Sequence, residues 1–205
     1  MPHTDSTPPY RKSDFKLGCM HGRVPTKKCP EAQIRNRLYF SGILVVHRSK
    51  TEETRIRLVG YEVPLLKRTV SRVKCVDLLG YDDTYKPWII ELKIGNSTDQ
   101  LNRNVVPEID LYATIFEAGV RVPIQNEICQ RFLWPDFRFS DGLGKMILAD
   151  RKFFEKQQPL SAQRNDILFC SFSRIPNEDA LLKYPRAEIG LKIEPVLVSP
   201  QMLAK

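Results

Sequence analysis

The chain has 205 residues, of which 42% are hydrophobic and 27% charged, and it carries a formal net charge of +8 at pH 7. This length and composition indicate a globular protein with one domain and an extension, and they exclude fibrous and low-complexity classes. No apolar run approaches the ~20 residues that a membrane-spanning helix needs, and the N-terminus lacks an apolar signal core. We therefore expect a cytoplasmic protein without a membrane partner.

The N-terminal segment is rich in proline, polar and basic residues, and its apolar residues show no periodicity. This composition predicts a basic, flexible arm over residues 1–29, followed by a single domain over residues 30–205. Within the arm, Cys19, His21 and Cys29 are three candidate zinc ligands. A structural zinc site takes four protein ligands at tighter paired spacing, so zinc binding stays open. The odd number and scattered spacing of the five cysteines argue against a disulfide framework.

The first predicted elements precede a basic segment. A proline and an acidic residue at Pro30 and Glu31 introduce apolar residues near helical spacing, which predicts a helix to about Phe40. Residues 55–66 are strand-like, and from residue 48 to residue 74 eight basic residues stand against three acidic ones. Such an excess suits a phosphate backbone, although it is also typical of a solvated strand edge. The candidate nucleic-acid-binding residues are Lys67, Arg68, Arg72 and Lys74.

Two short apolar runs, Val73–Gly80 and Pro87–Gly95, flank a polar turn and predict a β-hairpin. A turn that is symmetric about Thr84 places Asp77 directly opposite Glu91. Side chains alternate between the faces of a strand, so Glu91 and Lys93 share one face. The hairpin thus brings two carboxylates and an ammonium group together.

Two facing carboxylates repel each other unless a cation compensates their charge. Oxygen ligands suit a hard cation such as Mg²⁺ or Mn²⁺, and the backbone carbonyl of Leu92 can point toward the same ion. Lys93 is suited to orient an attacking water or to stabilise charge on a phosphate. The alternative is an exposed charge ladder in which Lys93 neutralises Asp77 and Glu91.

Asp77, thirteen intervening residues and Glu91-Leu92-Lys93 resemble the D…(D/E)xK signature of the PD-(D/E)XK, or restriction-endonuclease-like, nuclease superfamily. The resemblance implies that Asp77 and Glu91 are metal ligands and that Lys93 is the catalytic lysine. Members often have a further upstream acid, and many have a glutamine and a tyrosine four residues apart on the next helix. The residues at these additional positions are Glu31 and Glu62 upstream, and Glu108 and Tyr112 downstream, with glutamate in place of glutamine.

The later elements alternate between helix and strand. Pro107–Ala118 is predicted to be a helix that Gly119 ends, and Val120–Ser140 a loop whose aromatic residues stack on bases or cover a core edge. Lys152–Gln158 is predicted to be a short polar link, either helical or irregular. The later strands are predicted at Met146–Ala149, Ile167–Phe172 and Ile189–Val198.

Alternating strands and helices around a central antiparallel hairpin predict an α/β fold, a three-layer α/β/α sandwich around a mixed β-sheet. The resemblance implies the same fold, with a restriction-endonuclease-like core. The expected function is a nuclease that uses Mg²⁺, or Mn²⁺, to hydrolyse DNA, with RNA as a further candidate substrate. Cleavage of both strands of a duplex would call for two sites and hence a homodimer. The alternatives are a non-catalytic nucleic-acid-binding or assembly subunit that retains the fold and, third, hydrolysis of a small phosphorylated molecule.

Overall fold

A computed structural model describes residues 30–47, 52–66, 75–172 and 193–195. The predicted arm over residues 1–29, with its three candidate zinc ligands, lies outside these ranges. The four candidate nucleic-acid-binding residues, Lys67, Arg68, Arg72 and Lys74, lie outside them as well. What the sequence predicts for these segments stays a prediction.

The described ranges contain four α-helices, two π-helical segments and seven β-strands. The α-helices are α1 (Pro30–Ser41), α2 (Val106–Ile115), α3 (Arg121–Arg131) and α4 (Arg151–Glu155). The π-helical segments are Leu101–Val105 and Phe116–Val120. The strands are β1 (Ile43–His47), β2 (Glu53–Pro64), β3 (Cys75–Asp82), β4 (Pro87–Lys93), β5 (Gly144–Asp150), β6 (Ile167–Phe172) and β7 (Ile193–Pro195).

Strands β1 to β6 form a mixed sheet in which chain order is also spatial order. β1 to β4 are antiparallel neighbours, whereas β4, β5 and β6 run parallel to one another. β7 pairs antiparallel with β6 and, through one residue pair, parallel with β1, so the pairing closes into a ring. The predicted mixed α/β class is confirmed, and the closure by β7 was not foreseen.

The central hairpin follows the predicted register. Leu78 pairs with Ile90 and Gly80 with Trp88, so the turn is symmetric about Thr84. The Asp82 carboxylate organises the turn, because it accepts the Thr84 N–H at 2.9 Å and the Trp88 indole N–H at 2.9 Å. A side chain that satisfies turn donors in this way fixes where the chain reverses.

The sheet carries a hydrophobic cluster on each face, because neighbouring residues of a strand point in opposite directions. Leu79 and Ile89 belong to the cluster that also contains side chains of α2, α3 and α4. Leu78 and Ile90 belong to the other cluster, which contains Leu38 of α1. Helices therefore pack on both faces of the same sheet.

The helical region after β4 is longer than the sequence predicts. We expected a helix over Pro107–Ala118 and a loop over Val120–Ser140, but helical structure extends without a break from residue 101 to residue 131. The predicted stop, Gly119, lies inside the second π-helical segment. The buried side chains of Phe116, Val120 and Ile124 keep this stretch packed against the sheet, and this packing overrides the local breaking signal.

Two of the four aromatic residues of the expected loop pack into the protein, whereas Phe132 and Trp134 are exposed. Phe137 and Phe139 are buried, and their rings contact each other at 5.1 Å between centroids. This arrangement agrees with aromatics that cover a core edge. No helix in the described ranges is both long and apolar enough to cross a lipid bilayer.

Candidate active site at the divergence of β3 and β4

The site lies where the two strands of the hairpin separate. Their pairing ends at Leu78 and Ile90, although β3 begins earlier, at Cys75, and β4 continues to Lys93. Beyond this point Asp77 Oδ2 accepts the backbone N–H of Leu92 at 2.9 Å. The Asp77 side chain thus takes the place of a strand partner, and its carboxylate lies in the opening between β3 and β4.

A buried arginine joins Asp77 to the next strand. Arg35 Nη1 of α1 donates to Asp77 Oδ1 at 2.9 Å, and Arg35 Nη2 donates to Glu62 of β2. Glu62 lies between Tyr61 and Val63, which pair with the two neighbours of Asp77, so Glu62 and Asp77 face each other across β2 and β3. Glu62 adopts a left-handed backbone conformation, with φ of +45°, which is unfavourable for a residue other than glycine.

Glu91 and Lys93 form the most buried part of the site. Their side chains are 5% and 8% exposed, and Lys93 Nζ donates to Glu91 Oε1 at 2.8 Å and lies 3.2 Å from Asp99 Oδ2. The other carboxylate oxygen of Glu91 is buried and has no hydrogen-bond partner in the described structure. A buried carboxylate oxygen without a donor is energetically costly, which marks it as a candidate ligand atom.

The charges of the site shift the pKa values of both residues. Burial and the negative charge of Asp77 raise the pKa of Glu91 above its usual range. Burial opposes the charged form of Lys93, but the charges of Glu91, Asp77 and Glu31 outweigh it and raise the pKa of Lys93. These negative charges favour the protonated ammonium form of Lys93.

Glu31 approaches the same site from the first turn of α1. Burial, followed by the charge of Asp77, raises the pKa of Glu31 to about 7, and the positive charges of Lys93 and Arg35 act in the opposite direction. These couplings place Glu31 in the same electrostatic environment as the predicted catalytic residues.

Glu108 and Tyr112 lie on α2, on the opposite face of the sheet from α1. The Tyr112 hydroxyl donates to Glu108 Oε1 at 2.7 Å, and the Tyr112 side chain is buried. Burial and the charge of Glu91 raise the pKa of Tyr112 well above its usual range, so this hydroxyl stays protonated and acts as a donor. The charge of Glu108 also acts on Glu91, so α2 contributes to the site.

Hydrogen bonds connect the predicted site residues in three groups: Asp77 with the Leu92 N–H and, through Arg35, with Glu62; Glu91 with Lys93; and Tyr112 with Glu108. The charge of Asp77 acts on Glu31, Glu91 and Tyr112, so the three groups are treated as one candidate site. Leu92 enters it through its N–H, and the predicted role of its carbonyl stays a prediction. Sequence analysis missed Arg35 and Asp99. Arg35 had a usable signal, since residues four apart share a helix face and Arg35 follows Glu31 by four.

The chemistry of the donor set fits a hard divalent cation. Carboxylate oxygens predominate, negative groups outnumber Arg35 and Lys93, and one oxygen of Glu91 lacks a donor. Within the ranges that the structure describes, no three His, Cys, Asp or Glu side chains are grouped as a ready metal site. Asp77 and Glu91 each pair with a protein cation instead.

The chain was compared with protein-family models, curated proteins and solved structures. No family model matches it, and no curated protein or solved structure is significantly similar to it.

Proposed function

We propose that the protein is a metal-dependent nuclease of the PD-(D/E)XK type, which hydrolyses phosphodiester bonds in DNA and is built on a restriction-endonuclease-like α/β/α core. Asp77, Glu91 and the backbone carbonyl of Leu92 would hold Mg²⁺, or Mn²⁺ in its place. The bound ion would supply Lewis-acid activation of a water and of the phosphate.

The observation that carries this proposal is the state of Glu91. Its carboxylate is almost fully buried, one oxygen pairs with Lys93, and the other has no donor. Asp77 lies close enough for its charge to raise the pKa of Glu91. Purely structural buried carboxylates normally have all their acceptor positions satisfied, so this arrangement favours a site prepared for a cation.

The protein residues have separable roles in this proposal. Lys93 stays charged, and its ammonium group would orient the attacking water or stabilise negative charge on the phosphate. Tyr112 donates to Glu108 and keeps that carboxylate in place beside the site. The Leu92 N–H fixes the orientation of the Asp77 carboxylate.

A second candidate is a non-catalytic nucleic-acid-binding or assembly subunit that keeps this fold. The observation that favours it is that Arg35 and Lys93 already neutralise Asp77 and Glu91 in part. Binding that weakens with rising salt, without any cleavage product in Mg²⁺ or Mn²⁺, would select this candidate.

The deciding experiment incubates the purified protein with supercoiled circular DNA and with end-labelled linear duplex and single strands, in Mg²⁺, Mn²⁺ or EDTA. We expect cleavage that EDTA stops. The substitutions Asp77→Asn, Glu91→Gln and Lys93→Met should each lower the rate by at least about 100-fold, because each removes a cation ligand or the buried ammonium. Circles separate internal cutting from digestion that starts at an end.

Glu117→Gln is the matched control, since this exposed glutamate pairs with Arg121 and lies outside the site. It should cleave at the wild-type rate. Far-UV circular dichroism and urea midpoints establish that the inactive variants are folded. Cleavage that persists in all three folded site variants would refute the nuclease proposal.

A further inference from the structure

We infer that Arg35 is an internal counter-ion of Asp77 and that it competes with a divalent cation for this carboxylate. The inference rests on the proposed function, because it takes Asp77 as a metal ligand. In the metal-free protein Arg35 of α1 is bonded to the Asp77 carboxylate. Metal binding therefore requires Arg35 to release Asp77.

Arg35 lies between two carboxylates in a largely buried position. Its side chain is 11% exposed and bridges two carboxylates from neighbouring strands, Asp77 on β3 and Glu62 on β2. Its Nε is buried without a hydrogen-bond partner in the described structure. The guanidinium makes two charge-assisted hydrogen bonds, but its Nε donor is unused. Arg35 therefore neutralises the two carboxylates in addition to forming hydrogen bonds with them.

Competition follows from the occupancy of Asp77. Oδ2 accepts the Leu92 N–H, and Oδ1 accepts Arg35, so both oxygens already have a donor. A divalent ion on the same carboxylate would lie within a few ångströms of the guanidinium in a partly buried region. Repulsion between two cations is strong there, so Asp77 cannot hold both at full strength.

Glu62 makes this release feasible. Its side chain is 40% exposed, and it is the second partner of Arg35. When Asp77 binds a metal ion, Arg35 can keep its pairing with Glu62 and does not become an unpaired buried charge, which would be costly. Glu62 therefore lowers the free-energy cost of opening the site.

The test is a Mn²⁺ titration without nucleic acid, followed by the electron paramagnetic resonance signal of free Mn²⁺. Arg35→Gln removes the charge-assisted contact that competes with the metal ion. This variant should therefore bind Mn²⁺ about tenfold more tightly than the wild type. Arg37→Gln is the matched control. It removes the same charge from the same helix, but residues two apart do not share a helix face. Its affinity should stay within about twofold of the wild type.

Glu62→Gln gives an independent measurement if Arg35→Gln does not fold. It leaves Arg35 with Asp77 as its remaining carboxylate, so Mn²⁺ should bind more weakly than to the wild type. Unchanged or weaker Mn²⁺ binding in folded Arg35→Gln, or unchanged or tighter binding in Glu62→Gln, would overturn the inference.

Glu91→Gln separates this inference from the proposed function. Mn²⁺ binding that is absent from both the wild type and Arg35→Gln, or that survives Glu91→Gln, would overturn both the nuclease proposal and the role of Arg35. Binding that depends on Glu91 but is the same in the wild type and Arg35→Gln would overturn the role of Arg35 alone.

Discussion

Two buried carboxylates near the end of β4 are stabilised in different ways. Asp150 is 5% exposed, and each of its oxygens accepts a backbone N–H, from Gly95 at 2.7 Å and from Phe153 at 2.8 Å. Glu91 is equally buried, but one of its oxygens has no donor. Asp150 is thus held by the backbone at both oxygens, whereas Glu91 keeps one oxygen that can take a ligand.

Asp150 should therefore matter for stability rather than for metal binding. It caps the N-terminus of α4 and ties down the chain just after β4. We expect Asp150→Ala to lower the free energy of unfolding by about 3 kcal/mol, because two buried N–H groups lose a charged acceptor. Asp150→Asn keeps one acceptor oxygen and should cost about half as much. Urea denaturation measures both, and an Asp150→Ala variant as stable as the wild type would contradict this role.

At the scale of elements, the hairpin was predictable and the long helix was not. The hairpin has its signals within its own sequence, namely two apolar runs and a polar turn, and its register follows from the position of the turn. The helical region from residue 101 to residue 131 contains Pro107, Gly119 and Pro123, which locally favour breaks. Burial against the sheet maintains it, and burial is not visible in a local pattern.

Some residues of the candidate site were predictable from the sequence, and others were not. Asp77, Glu91 and Lys93 belong to one hairpin, so the turn and the strand register predict that they lie near one another, although β3 and β4 pair only as far as Leu78 and Ile90. Arg35 lies on α1, outside the hairpin. It was missed because local periodicity does not show how a distant helix packs over the sheet. Asp99 was missed for a related reason, because it follows the strand in an irregular segment with no periodicity of its own.

A network of four charges connects α2 to the strands next to the site. Asp110 on α2 accepts from Lys145 of β5 at 2.9 Å and from Arg164 at 2.7 Å, and Arg164 also pairs with Asp166 at 2.9 Å. Hydrogen bonds from Arg164 and Lys145 hold the pKa values of Asp110 and Asp166 below their usual range. The network therefore stabilises the folded protein only while these carboxylates are ionised.

The sign of the pH effect follows from these lowered pKa values. Unfolded aspartate titrates near pKa ~3.9, so the network contributes fully above that range, and its contribution is lost as the pH falls toward the lower folded values. Because the carboxylates are partly exposed, Asp110→Asn should cost only about 1 kcal/mol at pH 7, and the difference should shrink at pH 3.

The control for this effect is Asp141→Asn, since Asp141 is exposed and belongs to no ion pair among the described residues. It should change the stability by less than about 0.5 kcal/mol at either pH. Urea denaturation at several pH values provides the comparison. A cost of Asp110→Asn that is the same at pH 3 and pH 7 would be inconsistent with the network.

For the whole molecule, the site depends on both faces of the sheet. α1 brings Glu31 and Arg35 from the face that contains Leu38, and α2 brings Glu108 and Tyr112 from the other face. Strands β2 to β6 each contribute side chains to both hydrophobic clusters, so the clusters share most of the sheet. The two layers should therefore unfold together, as expected for the single domain predicted over residues 30–205.

The two tryptophans of the chain allow this cooperativity to be tested. Trp88 is buried in the cluster on the α1 face, whereas the Trp134 ring packs 5.1 Å from Phe137, which belongs to the other cluster. Trp134→Phe leaves Trp88 as the fluorescent reporter, and Trp88→Phe leaves Trp134. In each variant, the urea midpoint from fluorescence should coincide with that from far-UV circular dichroism, because one sheet links both reporters to the bulk of the structure. Comparing the two signals within each variant removes any effect of the substitution on overall stability. Separate midpoints in either variant would mean that one layer unfolds while the other stays folded, and the site could then be lost before the domain is.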